Sequence, residues 1–169
     1  GDSQEKVERA VAQAEEHGFP VCALVAEAWS DEATFYVFRG ARYVPKPNGG
    51  AFRLEDFDFS DSPWPDPAGM VQRLHEKGIR FLLWQIPVYK KQGPDEPLNA
   101  QNELDQADAV ARGLCVHNAD GSPYTIPEGY WFAGSMIPDF TNPAAEETWF
   151  SKRNYLTEMG IDGFKTDGG

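Results

Sequence analysis

At 169 residues, 41% hydrophobic and 13% aromatic, the chain carries enough apolar material for one domain with a sizeable core, which excludes general disorder. A formal net charge of −12 removes the basic face that nucleic acid or an anionic membrane requires, so neither is expected as a partner. Sixteen glycines and thirteen prolines imply much loop.

From Gln4 to His17 the apolar residues Val7, Ala10, Val11 and Ala14 recur at helical spacing, and Gly18 ends the predicted helix. Next comes "PVCALVAEAW", an apolar run with one acid, Glu27, near its end. A strand covered on both faces of a parallel sheet reads this way. A buried helix segment competes, but the run is short and lies between Pro20 and a polar stretch. Cys22 sits inside this run and is expected to be a buried free thiol; with Cys115 it makes neither a metal-site spacing nor a disulfide framework.

The pattern then repeats. "DPAGMVQRLHEKG" has proline in its first turn and glycine after its last, the asymmetry of a helix, and "IRFLLWQIPV" follows as a second apolar strand stopped by Pro87. A long inserted loop at about 89–138 is expected to hold a short helix near Asn99 to Arg112 and a hairpin at "LCVHNADGSPYTI", whose Asp-Gly pair is a turn signal. "NPAAEETWFSKRNYLTEMG" again has a capping residue, proline, a helical stripe (Ala145, Trp149, Leu156, Met159) and a closing glycine, and "IDGFKTDGG" is the third strand.

Three helix-then-strand units in succession predict a parallel α/β sheet, with unusually long connections after the first two strands. In a (β/α)8 barrel such loops build the active site at the C-terminal ends of the strands. A doubly wound sheet would carry a glycine-rich phosphate loop after its first strand, and "EAWSDEATF" is not one, so a barrel is preferred. The histidines (His17, His75, His117) are scattered without metal spacing, and no signal peptide or membrane-length apolar stretch appears; localisation stays open.

Strand alternation suggests where chemistry could lie. Lys165 and Asp167 point to one side while Phe164 and Thr166 face the other; by the same rule Glu27 and Trp29 share a face, and Trp84 lies near the end of its strand. Acids, a lysine and indoles meeting at adjacent strand ends suit a sugar, because indoles stack on pyranose C–H faces and carboxylates accept from hydroxyls. Each residue also has a plain structural reading. Lys165 and Asp167 alone read equally well as a structural ion pair, and Trp84 on an apolar strand is more often core. Glu27 is harder to dismiss, since a carboxylate in an apolar run is costly unless paired or near water. Asp31 and Glu32 read as loop acids, and Asp31 could cap the following turn.

"GIDGFKTDGG" resembles the nucleophile strand of glycoside hydrolase family 31, the retaining α-glycosidases, with their Gly-x-Asp-x-Phe-Lys-x-Asp pattern. "PDFTNPAAEETWF" is similar to that family's Asp-x-Thr-Asn-Pro-x-Ala segment, "LLWQIPV" to its Trp-x-x-Pro strand, and "HNADGSPY" to a hairpin between them. The four occur in the family's order over nearly the whole chain. Related α-galactosidase families also use a Lys-x-Asp strand.

The resemblance implies a partial (β/α)8 TIM barrel in which residues 1–169 cover about strands two to four and stop at the nucleophile strand. The acid/base aspartate would lie beyond, and apolar faces would stay uncovered. It also implies that Asp167 is the nucleophile, that Lys165 contacts substrate hydroxyls, and that Trp84 lines the subsite of the reacting sugar. The family's second-strand acid is usually aspartate; Glu27, beside Trp29, is the best match, and Asp31 is a candidate for the same role. The implied substrate is an oligosaccharide or α-glycoside, and neither metal nor organic cofactor is required. A retaining α-galactosidase and a non-catalytic carbohydrate-binding barrel are the alternatives.

Overall fold

A computed structural model describes residues 1–167; the two glycines that close the last motif lie outside the described residues. The elements run α1 (Gln4–Glu16), β1 (Ala23–Ala26), a 3-10 turn (Leu54–Asp56), α2 (Pro67–Glu76), β2 (Arg80–Gln85), α3 (Ala100–Ala111), α4 (Pro143–Ser151), α5 (Asn154–Glu158) and β3 (Gly163–Thr166). The strands form one parallel sheet in the order β1-β2-β3, with Ala26 opposite Leu83 and Leu83 opposite Phe164.

Local chemistry sets the helix ends. Ser3 accepts from the Lys6 N–H at the start of α1, Asp66 from Gly69 at α2, Asn99 from Asn102 at α3, and Asn142 from Ala144 at α4. Pro67 and Pro143 occupy first-turn positions where no N–H is needed. Gly78 and Gly160 take φ of 73° and 109°, which turns the chain out of a helix and directly into β2 and β3.

The sheet has one covered face. Phe81 and Leu83 are fully buried and share a core with Val7 and Val11 of α1, Met70, Val71 and Leu74 of α2, and Tyr155 and Leu156 of α5. Residues one step along, Val25 and Leu82, stay partly exposed on the other face. β1 therefore differs from its sequence expectation of cover on both sides. Cys22 differs too: it is exposed, because it precedes the paired segment and only its carbonyl, accepting from the Arg80 N–H, joins the ladder.

The predicted 142–160 helix is broken into α4 and α5 at Lys152 and Arg153. Both side chains are buried at the break between the two helices. Lys152 Nζ donates to Asp105 Oδ1 (2.7 Å), an acid on α3 that also accepts from Gln101 Nε2 and the Tyr36 hydroxyl at 2.7 Å each. Arg153 lies over the Trp149 ring at 3.5 Å, and burial pulls its guanidinium down to about 10. The predicted turn at Asp120–Gly121 is present, closed by hydrogen bonds from Asn118 to Ser122 and from Gly121 to Asn118. Its arms, however, form no named strands: they pair through one isolated antiparallel bridge, His117 with Pro123, and the Tyr124 N–H donating to the Val116 carbonyl.

An apolar groove of about 360 Å³, lined by Pro87, Phe140, Trp149, Phe150 and Phe164, lies uncovered on the helix side of β3 among the described residues.

At the opposite end from the strand tips, Asp162 gathers the Phe81 N–H, His75 Nε2 and Arg80 Nη1, each at 2.8 Å. Burial opposes its charge, but these three donors outweigh burial and hold the carboxyl below its ordinary range. A depressed carboxylate contributes stability in full above its unfolded value, near pH 4, and loses it as pH falls through the lower folded value. Asp162→Asn should therefore melt below the wild type at neutral pH, with the two melting curves converging in the acid range.

Asp105→Ala would leave the Lys152 ammonium buried without its partner, at a cost of about 3–5 kcal/mol. Urea unfolding followed by tryptophan fluorescence should show that loss. The double replacement Asp105→Leu with Lys152→Met should recover only part of it, because Gln101 Nε2 and the Tyr36 hydroxyl still lose their acceptor.

Candidate active site

The β2–β3 register places Trp84 opposite Lys165 on the open face of the sheet, one residue before the strands end. Asp167 follows β3 directly, and its N–H still donates to the Gln85 carbonyl (3.1 Å), so the ladder extends as far as the carboxylate's own backbone. The Trp84 indole N–H donates to Asp167 Oδ2 at 2.9 Å. Lys165 Nζ donates to Glu27 Oε1 at 2.7 Å and sits 3.8 Å from Asp167 Oδ2.

Four of the sequence candidates thus meet at the C-terminal ends of three neighbouring strands, where barrels place their sites. The three charged side chains keep solvent contact: Glu27 is 59%, Asp167 43% and Lys165 42% exposed. Glu27 is the main reason the Lys165 ammonium is held above its ordinary range, with charge attraction from Glu27 and then Asp167 adding to it, against partial desolvation.

The other two candidates are placed differently. Trp29 is fully buried: its indole N–H donates to the Trp84 carbonyl (2.9 Å), and its ring meets Phe38 edge-on at 4.9 Å. The expected shared face with Glu27 fails because β1 ends at Ala26 and the chain bends before Trp29. Trp29 supports the site from beneath and offers no face to a sugar.

Asp31 spends its carboxylate on the fold. Oδ1 accepts from the Thr34 N–H, the Thr34 hydroxyl and the Phe35 N–H, while Oδ2 accepts from Asn99 Nδ2 at 3.0 Å. It caps the turn after β1 and ties it to the start of α3. Burial raises its pKa against these hydrogen bonds.

Sequence reading passed over three aromatic residues beside the site. The Trp131 ring lies 6.0 Å from Trp84 and is 56% exposed. Phe132 packs on Trp131 at 4.6 Å, and Phe35 stands edge-on to Trp84 at 5.7 Å. Phe35 and Phe132 both adopt left-handed backbone, φ 58° and 59°. For Trp131 and Phe132 the available signal was the aromatic run "GYWF" just before the "PDFTNP" motif. A cleft of about 630 Å³ opens beside Trp131, between residues 86–88 and the loop at 124–137. Among the described residues no group of three or more His, Cys, Asp or Glu side chains could hold a metal ion.

An indole-bound carboxylate, a lysine between two acids and a rim of aromatic rings thus stand together at the ends of parallel strands. The chain matches the model of the glycosyl hydrolases family 31 TIM-barrel domain over residues 1–169, and it belongs to that family. It is 44% identical over 170 residues to an isomaltosyltransferase of Sporosarcina globispora, across 99% of this chain and 15% of that protein. It is 43% identical over 152 residues to a 1,3-alpha-isomaltosidase of Kribbella flavida, across 89% of this chain and 20% of the relative. A solved cycloalternan-degrading enzyme from Trueperella pyogenes, in complex with a covalent intermediate, superposes with a TM-score of 0.90 at 43% identity, over 99% of this chain and 22% of that one. The chain thus spans between a seventh and a quarter of the length of these relatives.

With Glu27→Gln the dominant partner of Lys165 is weakened, and the ammonium should titrate closer to its free value near 10.4. The Lys165 side-chain resonance, followed by NMR against pH, should show this downward shift.

Proposed function

We propose that the chain supplies the nucleophile half of a retaining α-glycosidase site acting on α-linked gluco-oligosaccharides. Residues 1–169 would form strands two to four of the barrel, with the segment at about 89–138 as an insertion that walls the site. The observation that carries the reading is the Asp167 carboxylate, held by the Trp84 indole with Lys165 beside it at the strand tips.

In this mechanism an Asp167 oxygen attacks the anomeric carbon as the bond to the leaving oxygen breaks, and a second carboxylic acid gives that oxygen its proton. The result is a β-linked glycosyl ester on Asp167. Water, deprotonated by the second group, then opens the ester with net retention. Such pairs stand about 5–5.5 Å apart, and none of the residues assigned here fills the second role. Lys165 and Glu27 bind sugar hydroxyls, Trp84 lines the reacting ring, and Trp131 extends the aromatic wall. No step calls for a metal or organic cofactor.

Isomaltosyl units are the favoured glycon, because both curated relatives at 43–44% identity are named for them. A second reading is transfer of the glycosyl group to a sugar hydroxyl in place of water, favoured by the transferase among the relatives. Both readings share the covalent ester.

Residues 1–169 alone should not turn over aryl α-glycosides. In the intact enzyme Asp167→Ala should lower turnover by several orders of magnitude with a smaller effect on substrate binding, since it removes an interaction made in the transition state. Azide should restore part of the rate and yield the β-glycosyl azide. Near-normal rates for Asp167→Ala would move the nucleophile elsewhere. Product analysis with and without added sugar acceptor separates hydrolysis from transfer.

A further inference from the structure

Phe35 is a bulky residue at φ 58°, a backbone region that side chains of this kind rarely adopt, and such outliers persist only where their surroundings over-determine them. Its surroundings do so. The Phe35 N–H donates to Asp31 Oδ1 (3.1 Å), and its carbonyl accepts from Gln85 Nε2 (2.7 Å). The next carbonyl, that of Tyr36, accepts from the Tyr155 hydroxyl.

Gln85 is itself clamped. Its Oε1 accepts from Arg153 Nε (2.7 Å), and Arg153 Nη1 donates to the Trp149 carbonyl (2.9 Å). Held this way, the Phe35 ring stands edge-on to Trp84 at 5.7 Å and to Phe132 at 5.6 Å. Trp84 is the residue whose indole N–H meets Asp167, and the Gln85 backbone carbonyl accepts the Asp167 N–H. Gln85 therefore reaches the carboxylate by two routes, through the Phe35 ring and Trp84, and through the ladder.

We propose that Arg153 and Gln85 are positioning residues for the nucleophile, fixing Phe35 in its left-handed conformation so that the Trp84 indole is aimed at Asp167. The inference rests on Asp167 being that nucleophile. Both residues are buried on the helix side of the sheet, so neither touches the sugar. The glutamine amide is suited to the task because one end accepts from Arg153 while the other donates to the Phe35 carbonyl.

The test uses the intact enzyme, with functional sites counted by a 5-fluoro-α-glycosyl fluoride that traps the ester on the nucleophile. Gln85→Leu should lower kcat per titrated site by about tenfold or more with KM little changed, as expected when a catalytic group is misplaced. Gln85→Glu keeps the acceptor for Arg153 but cannot donate to the Phe35 carbonyl. It should recover thermal stability without recovering kcat. In a Trp84→Phe background, which lacks the indole N–H, Gln85→Leu should cost much less than it does alone.

A purely structural glutamine would give fewer titrated sites and a lower melting temperature, unchanged kcat per site, and full additivity with Trp84→Phe. That pattern would overturn the proposal. Failure of the wild type to label at Asp167 would instead refute the functional reading beneath it.

Discussion

The parallel register that sets Trp84 against Lys165 and Gln85 against Thr166 decides which side chains look out of the open face and which look into the helix layer. Side-chain alternation leaves no third option, so a slip of one residue would turn Lys165 towards the helices and Phe164 towards the open face. Several contacts hold the register. Asp162 ties the start of β3 to Phe81 and Arg80, and the Asp167 N–H closes the far end on Gln85. Between these two ends, Phe81 and Leu83 are sealed against α1, α2 and α5. The site is thus fixed at both ends of the strands that carry it.

The helix layer behind the sheet is unusually polar for a core. Asp105 and Lys152 are 5% and 3% exposed, and Arg153 lies among aromatic rings. An apolar trio of similar volume would be no less stable on desolvation grounds. What charge adds here is direction: Asp105 is met by donors from α3, from the loop after β1 and from the break between α4 and α5. A wrong mutual placement of those three segments would strand a buried charge. The loop after β1, which supplies Phe35 and Tyr36 to the site's foundation, is held in one place by that penalty.

The α/β order, the parallel sheet and the Lys165–Asp167 pair were legible because they rest on local patterns: helical stripes, proline and glycine at helix ends, and period-two alternation in β3. The expectation for Trp29 failed because alternation holds only while the strand lasts, and β1 stops three residues earlier. The single predicted helix over 142–160 failed for a related reason. Lys152 and Arg153 look like surface residues in sequence, and their burial is met by the distant Asp105 and Gln85. The left-handed backbone of Phe35 and Phe132 was unreadable, because at a phenylalanine it contradicts local preference and is imposed by tertiary contacts.

A chain with a net charge of −12 and an uncharged sugar as its proposed ligand has no long-range field to guide encounter, so discrimination must come from contacts within the site. That gives the position of Lys165 its significance. One ammonium stands between two carboxylates, bonded to Glu27 and 3.8 Å from Asp167. A cation near a carboxylate favours its ionised form, and the attraction weakens with separation. The closer bond to Glu27 keeps the ammonium on the rim, and the indole of Trp84 supplies a donor to Asp167 that carries no charge of its own. Two different groups therefore meet Asp167 Oδ2: a neutral indole donor at 2.9 Å, and an ammonium that stays 3.8 Å away because its closer bond is to Glu27.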